Sequence, residues 1–150
     1  MSPPSELLLL DTNILVHLIR GNSLGRWLDE QFTLRSRTER PLISVVTVGE
    51  ALSLSKKFGW GQARIETLEA LFRELVVLDI SSEVVLRAYA DIDHLLSSMG
   101  NPIQHNDMWI AATAIAAQAR LLTTDRDFDA LCPSPLTRTW IDPRGPGQGP

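Results

Sequence analysis

Short apolar runs alternate with longer stretches of helical periodicity along this chain. Leu7 to Leu10, Leu42 to Ser44, Val76 to Leu78 and Leu121 to Thr123 are brief, apolar and bounded by polar breaks, a pattern that predicts buried strands. Between them, helical spacing predicts helices over Ile14 to Ile19, Leu24 to Leu34, Val46 to Phe58, Gln62 to Leu75, Ser82 to Ser98 and Asp107 to Ala119. The alternation implies an α/β fold, a central parallel sheet of four to five short strands with helices on both faces. Thr139 to Ile141 reads as a short edge strand. The segment Phe58-Gly-Trp-Gly61 reads as a turn between two helices, with Trp60 as a cap over the core or a partner contact. Residues 1–142 are expected to form a single domain, and the PRGPGQGP tail, 143–150, a disordered segment that cannot bury apolar surface.

Composition agrees with one globular domain: 150 residues, 44% hydrophobic and 21% charged. The single Cys132 excludes an internal disulfide framework and fits a reducing compartment. The apolar run at Leu7 lacks a basic leader and is broken at once by Asp11, so neither a signal peptide nor a membrane span is expected, and the cytoplasm is the default location. A net charge of -4 argues against a general nucleic-acid-coating protein, but not against a nuclease whose acids are shielded by metal. Arg20, Arg26, Arg35, Arg37 and Arg40 crowd the first third of the chain, where they would form a phosphate-binding rim if they shared a face.

The chemistry lies in the acids. Asp11 in LLLLDTN, Glu50 in SVVTVGEAL, Asp107 in HNDMWIAATA and Asp125 in LLTTDRDF each stand where an apolar segment meets a loop or helix. A charge there is costly unless it is hydrogen-bonded, paired or bound to a cation. In open α/β sheets, ligands sit beyond the carboxyl ends of the strands, so Asp11 and Asp125 fall at the active edge. Convergence of all four would suit a hard divalent cation and phosphoryl chemistry. Each acid alone has a plainer role: Asp11, Asp107 and Asp125 as helix N-caps, and Glu50 as the reciprocal half of a capping box with Thr47. Those separate roles leave the set unexplained.

These blocks, LLLLDTNILV, SVVTVGEAL and NPIQHNDMWIAATAIAAQARLLTTDRDFDAL, resemble the acidic blocks of PIN-domain nucleases, and are most similar to the VapC-type toxins of toxin-antitoxin pairs, from about Leu7 to about Leu131. The resemblance implies a Mg2+- or Mn2+-dependent endoribonuclease with Asp11, Glu50, Asp107 and Asp125 as both catalytic and metal-binding residues. It implies cleavage of transfer or ribosomal RNA to 5′-phosphate and 3′-hydroxyl ends without a protein nucleophile. It also implies a homodimer and a small VapB-like antitoxin that covers the acids, docked on surfaces within Ile14 to Leu34 and Val46 to Leu75. Asp127 is a possible helper read chiefly as the cap of a short following helix. Thr12, Asn13, Thr123 and Thr124 are candidates to orient the acids; Gln104 and His105, just before Asp107, could touch substrate, but His105 reads first as a hydrogen-bonded loop residue and neither joins the catalytic set.

Other readings fit less well. A haloacid-dehalogenase-like phosphatase or a receiver domain would need a lysine late in the chain, and the lysines here are Lys56 and Lys57. Asn13 also replaces the second aspartate of the phosphatase pattern. An RNA-processing PIN nuclease without an antitoxin, or a non-catalytic PIN-like binding module, shares the fold, since fold does not fix function; retention of all four acids weighs against the binding module.

Overall fold

The computed structural model describes residues 6–146. Strands β1 (Leu8–Leu10), β2 (Leu42–Ser44), β3 (Val76–Leu78), β4 (Arg120–Thr123) and β5 (Arg138–Trp140) form a fully parallel sheet in the order β3-β2-β1-β4-β5. Helices α1 (Thr12–Arg20) and α2 (Ser23–Phe32) join β1 to β2, and α3 (Val45–Lys57) and α4 (Gln62–Glu74) join β2 to β3. Helices α5 (Glu83–Met99) and α6 (His105–Ala117) carry the chain back past β1 to β4. A 3-10 turn at Asp129–Leu131 precedes β5.

Because strand-to-strand crossovers are right-handed, a chain that reverses its direction across the sheet must place its later helices on the opposite face. The side chains follow that rule. Leu8, Leu10, Ile43 and Leu122 point into one core with Ile14, Leu15, Leu28, Leu68 and Leu71 from the first four helices. Leu9, Leu42 and Leu121 point into the other with Ile92, Leu96, Ile110 and Phe128. Alternation over three central strands therefore feeds two cores, and those strands are buried throughout, apart from Arg120 at the start of β4. The small residues Ala111, Ala112 and Ala114 let α6 settle closely on the sheet and on α5.

Most elements lie within one or two residues of the sequence reading, and the differences have local causes. Leu7 falls outside β1, the last strand is shifted one residue earlier, and α1 starts two residues before Ile14 because Asp11 caps it. α6 starts at His105 rather than Asp107, so Asp107 lies inside its first turn and is not its cap. β3 is an edge strand instead of a buried one: Val77 is 43% exposed. The Phe58–Gly61 turn is present, with Gly59 in the left-handed region (φ +63°), and Trp60 packs against the first core. Part of the PRGPGQGP tail is ordered as a turn at Asp142, whose carboxylate accepts hydrogen bonds from Arg144; residues 147–150 lie outside the described residues. Among the described residues, no helix is long and apolar enough to cross a membrane.

One glycine is fixed by packing. In α2, a Cβ on Gly25 would lie 2.1 Å from the backbone oxygen of His17 in α1, whereas on Gly49 in α3 it would meet nothing within 4 Å. Alanine normally favours a helix interior over glycine by about 1 kcal/mol. At Gly25 the clash with backbone outweighs that gain, since overpacking costs about 1–3 kcal/mol or more. Gly25→Ala is expected to lower the melting temperature and Gly49→Ala to raise it, as followed by circular dichroism; equal effects of the two would refute this account of the α1–α2 crossing.

Candidate functional site

The carboxyl ends of β1 and β4 flank the point where strand order reverses, and the acids gather there. Asp11 is 4% exposed yet carries a carboxylate, so its hydrogen bonds decide whether the fold tolerates it. The Thr12 amide donates to Oδ1 (2.8 Å) and the buried Thr123 hydroxyl donates to Oδ2 (2.6 Å). Thr123 Oγ1 in turn accepts from the Asp125 amide at 2.9 Å, tying the loop after β4 to the end of β1. Asp11 is thus both the N-cap of α1 and a wall of the cleft.

Glu50 lies in the second turn of α3 and is held from α1 and α6. Thr12 Oγ1 donates to Oε1 (2.6 Å) and lies 3.2 Å from Thr47 Oγ1; Asn106 Nδ2 donates to Oε2 (3.3 Å). The capping box, the plainer alternative for Glu50, does not form. Ser44 caps α3 instead, its hydroxyl accepting from the Val46 amide, so Thr47 is already inside the helix and Glu50 is left to face the cleft. Asn106 was not singled out from the sequence; its place beside Asp107 on the first turn of α6 was the available signal.

The four predicted acids line one cleft of about 720 Å³. Asp127 lines it too. Its amide donates to Asp125 Oδ1 (2.8 Å), which folds the loop back on itself, and the short turn that follows is preceded by Phe128 rather than capped by Asp127. One carboxylate oxygen from each of Asp107, Asp125 and Asp127 lies within 4.8 Å of the others. Thr12, Asn13 and Gln104 share the lining, whereas Thr124 contributes its backbone oxygen to Trp140 Nε1. His105 faces away, its Nδ1 2.9 Å from the Tyr89 hydroxyl.

The arginine rim is not formed. Arg20 stacks on Phe58, Arg26 donates to the Gly21 carbonyl, Arg35 pairs with Glu74, Arg37 donates to the Glu6 carbonyl and Arg40 to that of Leu75. Arg26 is tied to its own turn and the other four to segments distant in the chain, so the guanidiniums are dispersed, and none of the five lines the cleft. Lys57 is the cation at its edge.

Electrostatics follow from this crowding. Burial pushes the Asp11 carboxyl up to about 6 against the relief from Thr123 and Thr12, with Glu50 and Asp125 adding repulsion. Burial, and then repulsion from Asp11, Asp125, Glu50 and Asp127, pushes Asp107 up to about 7. Asp127 is raised chiefly by Asp125. The ion pairs found among the described residues include none of these five acids. A cluster of mutually repelling oxygens with such spacing and no paired cation fits a divalent metal ion.

A sequence profile of the PIN domain matches residues 8–132. The chain belongs to the PIN domain family. Its relatives include Ribonuclease VapC1 of Haemophilus influenzae, 27% identical over 115 residues, which is 77% of this chain and 84% of that protein. Among solved structures, this PIN domain resembles VapBC-1 from nontypeable Haemophilus influenzae at 26% identity and a TM-score of 0.73, covering 89% of this chain and 97% of that one. It shares its fold with VapBC2 from Rickettsia felis bound to a promoter DNA fragment, at 23% identity and a TM-score of 0.75, with the same coverage.

The raised carboxyls set the sign of a pH effect on this PIN domain. Between about pH 4 and 7 the native state holds protons on Asp11 and Asp107 that the unfolded chain, ionising near 3.8, has released. Stability therefore falls as pH rises through that window. In EDTA, Asp107→Asn is expected to flatten part of this fall, so the variant gains melting temperature relative to wild type as pH goes from 4 to 7; a constant difference across the window would contradict the assignment.

Proposed function

We propose that this chain is the ribonuclease of a toxin-antitoxin pair, a Mg2+- or Mn2+-dependent endoribonuclease acting on transfer or ribosomal RNA. The observation that carries the reading is the convergence of Asp11, Glu50, Asp107, Asp125 and Asp127 on one cleft at the strand-order reversal of a PIN domain. The names of the relatives, Ribonuclease VapC1 and the VapBC-1 complex, support the same activity and a small VapB-like antitoxin as partner. A second copy of the chain is the other expected partner.

In this reading Asp107, Asp125 and Asp127 would hold a cation most directly, with Asp11 and Glu50 lining the same cleft. A bound divalent ion supplies positive charge at the scissile phosphate and lowers the pKa of an attacking water. The protein's own part is positional. Thr123 and the Thr12 amide fix both oxygens of Asp11, and Thr12 and Asn106 fix both oxygens of Glu50, so neither acid needs to reorganise as charge moves. No serine, cysteine or histidine nucleophile is required, in keeping with His105 facing Tyr89. A cleft of this size and openness on one sheet edge suits a single extended strand better than a closed small-molecule pocket.

The test is cleavage of total transfer and ribosomal RNA by the purified chain, free of antitoxin, in Mg2+ or Mn2+ against EDTA. Cleavage is expected only with metal. Asp107→Asn, which keeps the volume and removes a charge, is expected to cut at least on the order of a hundredfold more slowly while remaining folded, since even groups behind the ligands are worth 10–100-fold. Metal-independent cleavage, or full activity in the variant, would overturn the proposed site.

A further inference from the structure

Beside the acidic cleft lies a second hollow of about 510 Å³, lined by Asn101, Gln104, Arg126, Asp127 and Asp129 among others. Gln104 and Asp127 line both, so the two hollows share a wall. The cation here is Arg126, in the loop between Asp125 and Asp127. Its guanidinium carbon lies 3.8 Å from the centroid of the Trp140 ring, and Trp140 Nε1 donates to the Thr124 carbonyl at 3.0 Å. The ring that holds Arg126 is therefore anchored to the same loop that carries two of the acids.

An ordinary surface ion pair does not account for this arrangement. Arg126 is 4.0 Å from Asp129, whereas Arg138, only 14% exposed, takes Asp129 at 2.5 Å. The better partner has already neutralised that carboxylate, and the side chain of Arg126 remains 64% exposed. Stacking uses the face of a guanidinium and leaves its in-plane N–H donors available, the geometry that suits a phosphate. The need for such a donor is clear from the neighbouring cleft: five carboxylates repel a polyanion, and a phosphate beside the reacting one gains from a cation of its own.

We propose that this second hollow receives the nucleotide next to the scissile phosphate in a single RNA strand, with Arg126 binding its phosphate and Trp140 positioning Arg126. Lys57, at the edge of the acidic cleft, supplies the cation lining that cleft itself, so that the strand meets positive charge in both hollows. The inference rests on the ribonuclease reading and adds to it the residue that sets the register of the strand.

The experiment compares wild type, Arg126→Glu, Arg126→Ala, Arg126→Lys and, as a remote surface control, Arg87→Glu on α5. Binding of a labelled single-stranded oligoribonucleotide of mixed sequence is measured in Ca2+ at several salt concentrations, and turnover in Mg2+ or Mn2+ on the RNA that wild type cuts. Arg126→Glu is expected to weaken binding about tenfold at low salt and to raise KM more than it lowers kcat. Arg126→Ala is expected to reduce the salt slope by about 0.7, one phosphate contact on a single strand. Arg126→Lys should lie between it and wild type, having the charge without the stacked plane, and Arg87→Glu should match wild type. Melting temperatures of the Arg126 variants should stay within about 2 °C of wild type, as for an exposed substitution. Wild-type affinity and KM in both Arg126→Glu and Arg126→Ala would overturn the proposal while leaving the ribonuclease reading intact. Wild-type protein that neither binds nor cleaves RNA would overturn both.

Discussion

The hydroxyl of Thr123 is the joint on which this site turns. It is fully buried at the end of β4, donates to Asp11 after β1 and accepts from the amide of Asp125. A threonine hydroxyl has one proton and two lone pairs, and here its donor and an acceptor role are both engaged within the protein. That single group lets a carboxylate sit nearly without water at the centre of the sheet. It also fixes the loop that returns Asp127 towards Asp107. Remove the hydroxyl and the buried acid loses one of its two donors, a cost larger than the net worth of an average hydrogen bond because the group left behind is charged.

The cleft is a local conflict that the rest of the fold contains. The acids gathered at one end of the sheet raise the proton affinity of Asp11, Asp107 and Asp127, while two well-packed cores, one on each face, hold the segments that carry them. β1 serves both cores, through Leu8 and Leu10 on one side and Leu9 on the other, so the strand that presents Asp11 is held from both faces. This is the arrangement expected when charge is concentrated for binding rather than for stability.

Much of this was legible in the sequence because it depends on periodicity and on acids at strand ends. The central strands β1, β2 and β4 are apolar on both faces and read as such, and the acids that follow or face them were found with them. Features that depend on spatial neighbours were not legible. Val76 to Leu78 is as apolar as a central strand, but its place at the edge of the sheet is a matter of topology. Thr47 and Glu50 have capping-box spacing, yet Ser44 starts the helix earlier and frees Glu50. Asp127 reads as a cap until the bend made by its amide on Asp125 brings its carboxylate back to the cleft. The five arginines near one another in sequence disperse over separate turns, whereas Arg126, isolated in sequence, lies against Trp140 and the acids.

The acids are drawn from the end of β1, α3, α6 and the loop after β4, so the site spans more than a hundred residues of chain although it occupies one corner of the molecule. β4 is inserted beside β1 only after the entire β2–β3 half and the return helices have been made. Until that late strand docks, Asp11 has no Thr123 and the cleft lacks its far wall. A chain short of β4 has Asp11 and Glu50 but neither Thr123 nor the loop that carries Asp125 and Asp127, so the topology itself defers assembly of the cleft to the last stage of synthesis and folding.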